Sequence, residues 1–451
     1  SSAEEARALI KFNATASTNS ITADRTAGVI PASGSVSFYL RMFNAKHGQT
    51  LPKNFTMDIS AITGSWDEGT GLDMEGYKDK DDSNWTNRLP STAWATTGGD
   101  YYTDASSSFT ASFTSGVEDI EVDITTLVEQ WANSAGNVLG SKNDEGVGVF
   151  LSSVYSGESR SYYTKKFFGR GTEFHFKKPY IEARWDSATK DDRGTFFYSS
   201  SLATAAENLN TLYFYNYFRG QLRNIPDIGT GNIYLSVYSG SLSNTEPEGE
   251  PLTLVADGTY VTAATPTVVT GGYVSTGIYS ASFAATGTLT TLFDVWHSGS
   301  VQYHTGTIKP EILYGSAIAP DTTFASSITN LKNVYRGDET ARFRVYTRQK
   351  DWSPTIYTKA TAQAEVNIVE SGSYEIYRVV DDLKVIPYGT GSTLHTQMSF
   401  DADGSYFDLD MEMLEKGYMY GIKFAYYNNS VGSWVEQPET FKFRVESRQS
   451  E

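Results

Sequence analysis

Apolar and polar residues alternate with a period of two over most of this 451-residue chain, and long 3.6-residue periodicity is absent. In residues 6–12 Ala6, Ala8, Ile10 and Phe12 share one face, and in 36–42 Val36, Phe38, Leu40 and Met42 do so. Ile120, Val122 and Ile124 alternate with Glu121 and Asp123, the mark of a strand with one wet side. The spacing then changes: Ile124, Leu127, Val128 and Trp131 fall on one helical face. Asp123 or Thr126 can cap this helix, Thr126 with Glu129 has capping-box spacing, and Asn133 to Gly136 stop it. A helix under three turns does not persist alone. It therefore reads as a lid on one end of a sandwich, with Trp131 as the plug. Val147, Val149 and Leu151, then Ile181, Ala183 and Trp185, return to period two.

The pattern repeats in two further blocks. DSATKDDRG (186–194) is a polar break with turn chemistry, a linker by pattern. Beyond it Ile233, Leu235 and Val237 alternate with Tyr234, Ser236 and Tyr238. SNTEPEGEP (243–251) reads as an acidic surface loop. Later, Ala341, Phe343 and Val345 oppose Arg342, Arg344 and Tyr346, while Phe407, Leu409, Met411 and Met413 oppose Asp408, Asp410 and Glu412. DADG (401–404) signals a tight hairpin, and Phe441, Phe443 and Val445 mark a last strand. The expected fold is all-β: three consecutive β-sandwiches of jelly-roll or immunoglobulin-like kind, spanning 1–186, 191–318 and 320–448, with one short helix in the first. The length alone suits roughly three domains.

Composition agrees with strands and turns. Aromatics supply 14% of the residues, and Gly, Ser and Thr abound. The net charge of −17 repels phosphate backbones and anionic membranes, which argues against nucleic-acid or membrane partners. There is no cysteine, so disulfides, thiol catalysis and thiolate metal sites are excluded, and folding in a reducing cytoplasm is expected. No apolar run approaches the ~18–20 residues of a membrane-spanning helix, and no signal peptide is visible. A strand beginning within a few residues of Ser1 predicts that the numbering starts inside a longer gene product.

Several constellations have the residue types for chemistry. Asp401, Asp403, Ser405 and Glu412 match positions one, three, five and twelve of a calcium loop. The glycine is at position four instead of six, and Asp408, Asp410 and Glu412 would run outward along ~14 Å of strand, so a solvated hairpin is the simpler reading. The acids Asp67, Glu68, Asp79, Asp81 and Asp82 lie in a long loop between about 64 and 104. Paired-carboxylate catalysis needs two acids about 5–9 Å apart across a groove, and this charge run reads as a solvated face. The histidines His47, His175, His297, His304 and His395 are scattered; His297 and His304 straddle a hairpin-like turn and suit surface or edge positions. No nucleophile elbow, zinc-protease motif or phosphate loop is present. The Asn-x-Ser/Thr sites at Asn13, Asn54, Asn84 and Asn428 carry little meaning in a chain folded in the cytoplasm. The sequence offers no catalytic residue, no metal site and no cofactor.

Aromatics are the remaining candidates. Tyr213, Tyr215 and Tyr217 occupy one face of a strand, and Trp66, Trp85 and Trp94 lie in the long loop. Exposed and coplanar, they would form interface anchors or sugar-stacking platforms; otherwise they pack on their own domain.

The order of five segments (ARALIKF, SWDEGTG followed by NW, DITTLVEQW, GVGVFLSS and PYIEARW) resembles the DNRLRE-type β-sandwich, a carbohydrate-binding-module-like fold of cell-surface and virion proteins. The likeness covers about 40% of the chain, and the family's leading strands are absent before Ser1. The last two blocks, with the DADGSYFDLDM hairpin, resemble virion structural proteins of tailed bacteriophages, especially marine ones. The resemblance implies a non-enzymatic virion protein of the capsid, neck or tail, folded in the host cytoplasm. It would be a rod or cluster of sandwiches whose partners are other virion subunits or copies of itself. The alternative it leaves open is a glycan-binding protein of a cell surface or host-attachment apparatus.

Overall fold

The computed structural model describes residues 5–48, 52–69, 82–132, 139–156, 163–255, 266–311, 323–357 and 366–447. The chain divides into two compact units, 1–186 with 393–395, and 187–392 with 396–451. The expected boundary near 318–320 and the helix stop at Asn133–Gly136 lie outside the described residues, as do Asp79 and Asp81.

In chain order the strands of the first unit are β1 (Ala8–Ile10), β2 (Ser37–Met42), β3 (Phe55–Ala61), β4 (Asn87–Leu89), β5 (Thr92–Ala93), β6 (Ser108–Phe113), β7 (Ile120–Asp123), β8 (Val147–Leu151) and β9 (Tyr180–Arg184). Two sheets, β1-β8-β3-β6 and β7-β2-β9, enclose one core. Phe38, Leu40 and Met42 from β2 meet Met57 and Ile59 from β3 and Val147 and Val149 from β8. The helix α2 (Thr125–Ala132) follows β7 directly, and Leu127, Val128 and Trp131 enter that core with Ile124.

The capping box is not formed. Asp123 accepts from the Thr125 amide, the Thr126 hydroxyl donates to the Ser106 carbonyl, and Glu129 is taken by Arg25. That arginine comes from a second helix, α1 (Ile21–Thr26), which corrects the expectation of a single one. It buries none of its residues, so no apolar stripe announces it. It is fixed by a Ser20 cap, whose hydroxyl accepts from the Ala23 amide, and by a bidentate Arg25–Glu129 pair at 2.7 and 2.9 Å.

The second unit contains two sheet systems. The first comprises β10 (Asn210–Tyr215), β11 (Tyr217–Phe218), β12 (Gln221–Leu222), β13 (Ile233–Gly240), β14 (Pro247–Glu248), β15 (Val269–Ser275), β16 (Ile278–Phe283), β17 (Leu292–Ser298) and β18 (Val301–Ile308). Its hydrogen bonding runs without a break through β10-β16-β15-β13-β17-β18, and β14 adds to β13. One core is shared along that path, with Leu212, Phe214, Ile233, Leu235, Val237, Tyr279, Phe283 and Trp296 all buried. β11 and β12 form a separate two-stranded hairpin.

The second system comprises β19 (Phe324–Ile328), β20 (Val334–Arg336), β21 (Thr340–Gln349), β22 (Gly372–Arg378), β23 (Leu383–Ile386), β24 (Ser399–Asp401), β25 (Gly404–Asp410), β26 (Met419–Asn428), β27 (Ser433–Glu436) and β28 (Phe441–Glu446). Sheets β19-β21-β25-β24 and β20-β28-β26-β22-β23 pack as an immunoglobulin-like sandwich. In place of a disulfide its centre is aromatic: Phe407 stacks on Phe343 at 5.0 Å and on Tyr374 at 4.1 Å. β25 ends at Asp410 and a 3-10 turn follows, so Met411 is buried while Met413 is exposed, contrary to the strand expected through both.

The unit boundary falls after Asp186, at the start of the polar break, and residues 189–194 are built into the second unit. The Phe400 amide donates to the Thr189 carbonyl, the Asp191 amide donates to the Phe400 carbonyl, and Lys190 bridges Phe400 in parallel. This single bridge pairs the open edge of β24 at Phe400.

Candidate functional site

The loop at 64–104 is partly ordered by its own side chains, as long loops in compact domains often are. It contains the β4–β5 hairpin. Trp66 and Trp94 are buried with Ile62 against Leu9 and Tyr101. Each indole N–H is satisfied internally, Trp66 to the Glu145 carbonyl and Trp94 to the Asn84 carbonyl. These two are packing residues. Trp85 is the exposed member, and the Arg7 guanidinium lies 5.1 Å from its ring centre while Arg7 also donates to the Gly98 carbonyl. An open groove of about 380 Å³ runs here, lined by Arg7, Leu9, Trp66, Glu68, Trp85 and Trp94. It offers one aromatic face, one cation and one carboxylate. Glu68 is bridged to Arg170 at 3.0 Å.

The tyrosines are divided too. Tyr213 and Tyr215 share the outward face of β10 and stack at 6.4 Å. Tyr215 is hydrogen-bonded to Tyr406 of the immunoglobulin-like sandwich, and burial, first of several causes, pushes its phenol well above the usual range. Tyr406 is itself buried, with the guanidiniums of Arg342 and Arg344 at 4.3 and 4.9 Å from its ring. Tyr217 and its neighbour Phe218 are exposed, on the β11–β12 hairpin. The expected three-tyrosine platform is therefore an internal seam at Tyr215 and an open surface only from Tyr217 onward.

The most unusual electrostatic feature was not visible in the sequence pattern. Asp294 on β17 is fully buried, on the inward phase between Leu292 and Trp296. Its carboxylate accepts from the Trp296 indole at 2.8 Å and from Arg193 at 2.7 Å. Arg193, from the polar break, also pairs with buried Asp191 at 2.8 Å and donates to the Tyr213 carbonyl. Burial raises Asp191 to about 7 in spite of Arg193, and raises Asp192 to about 6. A side-chain carbon at Gly306, opposite Asp294, would run into the carboxylate. His304 is exposed on β18, the surface or edge position expected for it, with its ring stacked on Phe214 at 5.4 Å and partial desolvation lowering its pKa. Arg193 thus bridges Asp191 and Asp294 and ties residues 191–193 to β17.

At the calcium-like hairpin the acids have other partners. Asp401 accepts from Arg344 and Asp408 from Arg342, while Ser405 is buried. Among the described residues no group of three or more histidine or acidic side chains could hold a metal ion, and no helix is long and apolar enough to cross a membrane.

No protein-family model and no curated protein matches the chain. Among solved structures it is similar to the native conformation of Escherichia coli alpha-2-macroglobulin, at 9% identity over 90% of this chain and 20% of that one, with a TM-score of 0.16. It is likewise similar to the Yersinia pseudotuberculosis adhesin InvE, at 12% identity over 52% and 54%, TM-score 0.16. A marsupial T cell receptor matches at 9% identity over 54% and 70%, TM-score 0.18. The chain spans about a fifth of the macroglobulin's length. Likeness at this level carries no functional argument.

Proposed function

We propose that the chain is a non-enzymatic structural protein of a tailed-bacteriophage particle, in the capsid, neck or tail, acting through protein–protein contacts. The observation that carries this reading is how the polar side chains of the second unit are spent. Arg193, Asp191 and Asp294 tie the linker to one sandwich, and the Thr189–Asp191 backbone ties it to the next. That use of buried charge favours stiffness over turnover. The exposed aromatic and charged residues sit instead on loop tips, where contacts are made. The order of sequence segments shared with virion sandwiches gives the setting. The test is mass spectrometry of purified particles followed by a density map. The chain is expected at a fixed copy number with subunit interfaces above about 1,000 Å²; its absence from washed, infectious particles would overturn the reading.

One observation favours the second reading, glycan binding: the groove that keeps Trp85 open beside Arg7 and Glu68. A sugar ring stacked there would lose its platform in Trp85→Ala, while stability changes little because Trp85 is exposed. On a glycan array, structural contact alone predicts no signal that depends on Trp85. A signal lost in Trp85→Ala and kept in Tyr217→Ala would transfer the function to carbohydrate binding.

A further inference from the structure

Resting on the contact-making role proposed above, we infer that the β11–β12 hairpin of one copy docks on the acidic β13–β14 hairpin of a second copy, joining chains head to tail. The first hairpin spans Tyr217–Arg223, carries Arg219 and Arg223, and contains no acid. Arg219 and Gly220 form its two-residue turn with φ of 51° and 77°, the backbone a tight hairpin needs, so the tip is pre-shaped. Tyr217 and Phe218 are 59% and 53% exposed, and the two guanidiniums lie 5.4 and 5.7 Å from the Phe218 ring centre. Neither arginine makes an ion pair among the described residues. In a chain of net charge −17 this is an aromatic tip of the minority sign.

Its complement is on the same sequence. Residues 241–250 carry Glu246, Glu248 and Glu250 and no base, and Leu242 at the turn is fully exposed. This tip is held by the Ser239–Glu248 and Gly240–Pro247 pairings and by the Ser241 amide donating to the Glu246 carbonyl. None of the three glutamates is in an ion pair among the described residues. Two arginines beside exposed aromatics thus meet three carboxylates beside an exposed leucine, from two different surfaces of the chain. Such a contact is heterologous, so it propagates into rings or open chains instead of stopping at a dimer.

The test is sedimentation velocity of the full chain over a range of concentration, at about 0.05 M and 0.5 M salt. The expected result is self-association that weakens as salt screens the tips. Arg219→Glu with Arg223→Glu should raise the apparent dissociation constant at least tenfold, as should Glu246→Lys with Glu248→Lys. Mixing the two double variants restores opposite signs at every mixed contact and should recover association. Association unaffected by either double variant, or loss not recovered by mixing folded variants, would overturn the proposed surfaces while leaving the particle role standing. A wild-type chain that stays monomeric at all concentrations would also overturn them, and the composition of purified particles would still judge the role separately.

Discussion

Replacing Arg193 by alanine is expected to lower the unfolding free energy of the second unit by about 3–5 kcal/mol, the usual cost of stripping one partner from a buried ion pair. The arginine is the shared counter-ion of Asp191 and Asp294, which are 2% and 0% exposed. Without it two carboxylates stay out of water with no counter-charge. Urea unfolding of the full chain measures the loss, and a change below about 1 kcal/mol would sink the bridge. The same geometry fixes a pH dependence in the wild-type chain. Burial holds Asp191 at about 7 and Asp192 at about 6, above their unfolded values. In the folded state they keep protons that the unfolded chain has released, so stability falls as pH rises from about 4 to about 7. Calorimetry should therefore place the transition that Arg193→Ala shifts at a higher temperature at pH 5.5 than at pH 8. Asp191→Asn should flatten that slope. Carboxyls with lowered values, such as Asp104 at about 2, keep their contribution throughout this window and do not obscure it.

Trp131→Ala is the second large effect, about 3–5 kcal/mol from the first unit. The indole is 2% exposed and shares its helical face with Ile124, Leu127 and Val128, each fully buried. An eight-residue helix has too little propensity to survive on its own, so losing its largest side chain removes the reason for the helix as well as filling in the core. The indole N–H has no hydrogen-bond partner among the described residues. Trp131→Phe, which deletes that group and keeps most of the volume, should cost much less than the alanine. Equal losses in the two variants would mean that volume is not what Trp131 supplies.

Where local pattern and tertiary role agree, the sequence was readable. Ile233, Leu235 and Val237 are fully buried on one strand, and Phe343, Val345 and Phe407 behave alike in the last sandwich. The α2 face could be read for the same reason. Helix α1 could not, because its anchor is an ion pair between residues 104 apart in sequence. The stretch 186–194 is polar and opens at the unit boundary after Asp186, but its anchoring partners, Asp294 and Phe400, lie about 100 and 200 positions away, so local pattern cannot show that it is held. One local signal was available: in Leu-Phe-Asp-Val-Trp, Asp294 falls on the inward phase of the alternation, where an acid requires a buried counter-charge. The candidate site was half legible. Composition marks tryptophans and tyrosines as anchors, but nothing in it separates Trp66 and Trp94, already hydrogen-bonded inside, from Trp85.

The parallel bridge between Lys190 and Phe400 has an evolutionary corollary. A gene break between the last two modules would leave the Phe400 amide and carbonyl on the edge strand β24 unpaired, open to a foreign chain. It would also separate that edge from the segment carrying Arg193. The two modules should therefore be inherited and shuffled as one cassette, with swaps tolerated on either side of it but not within.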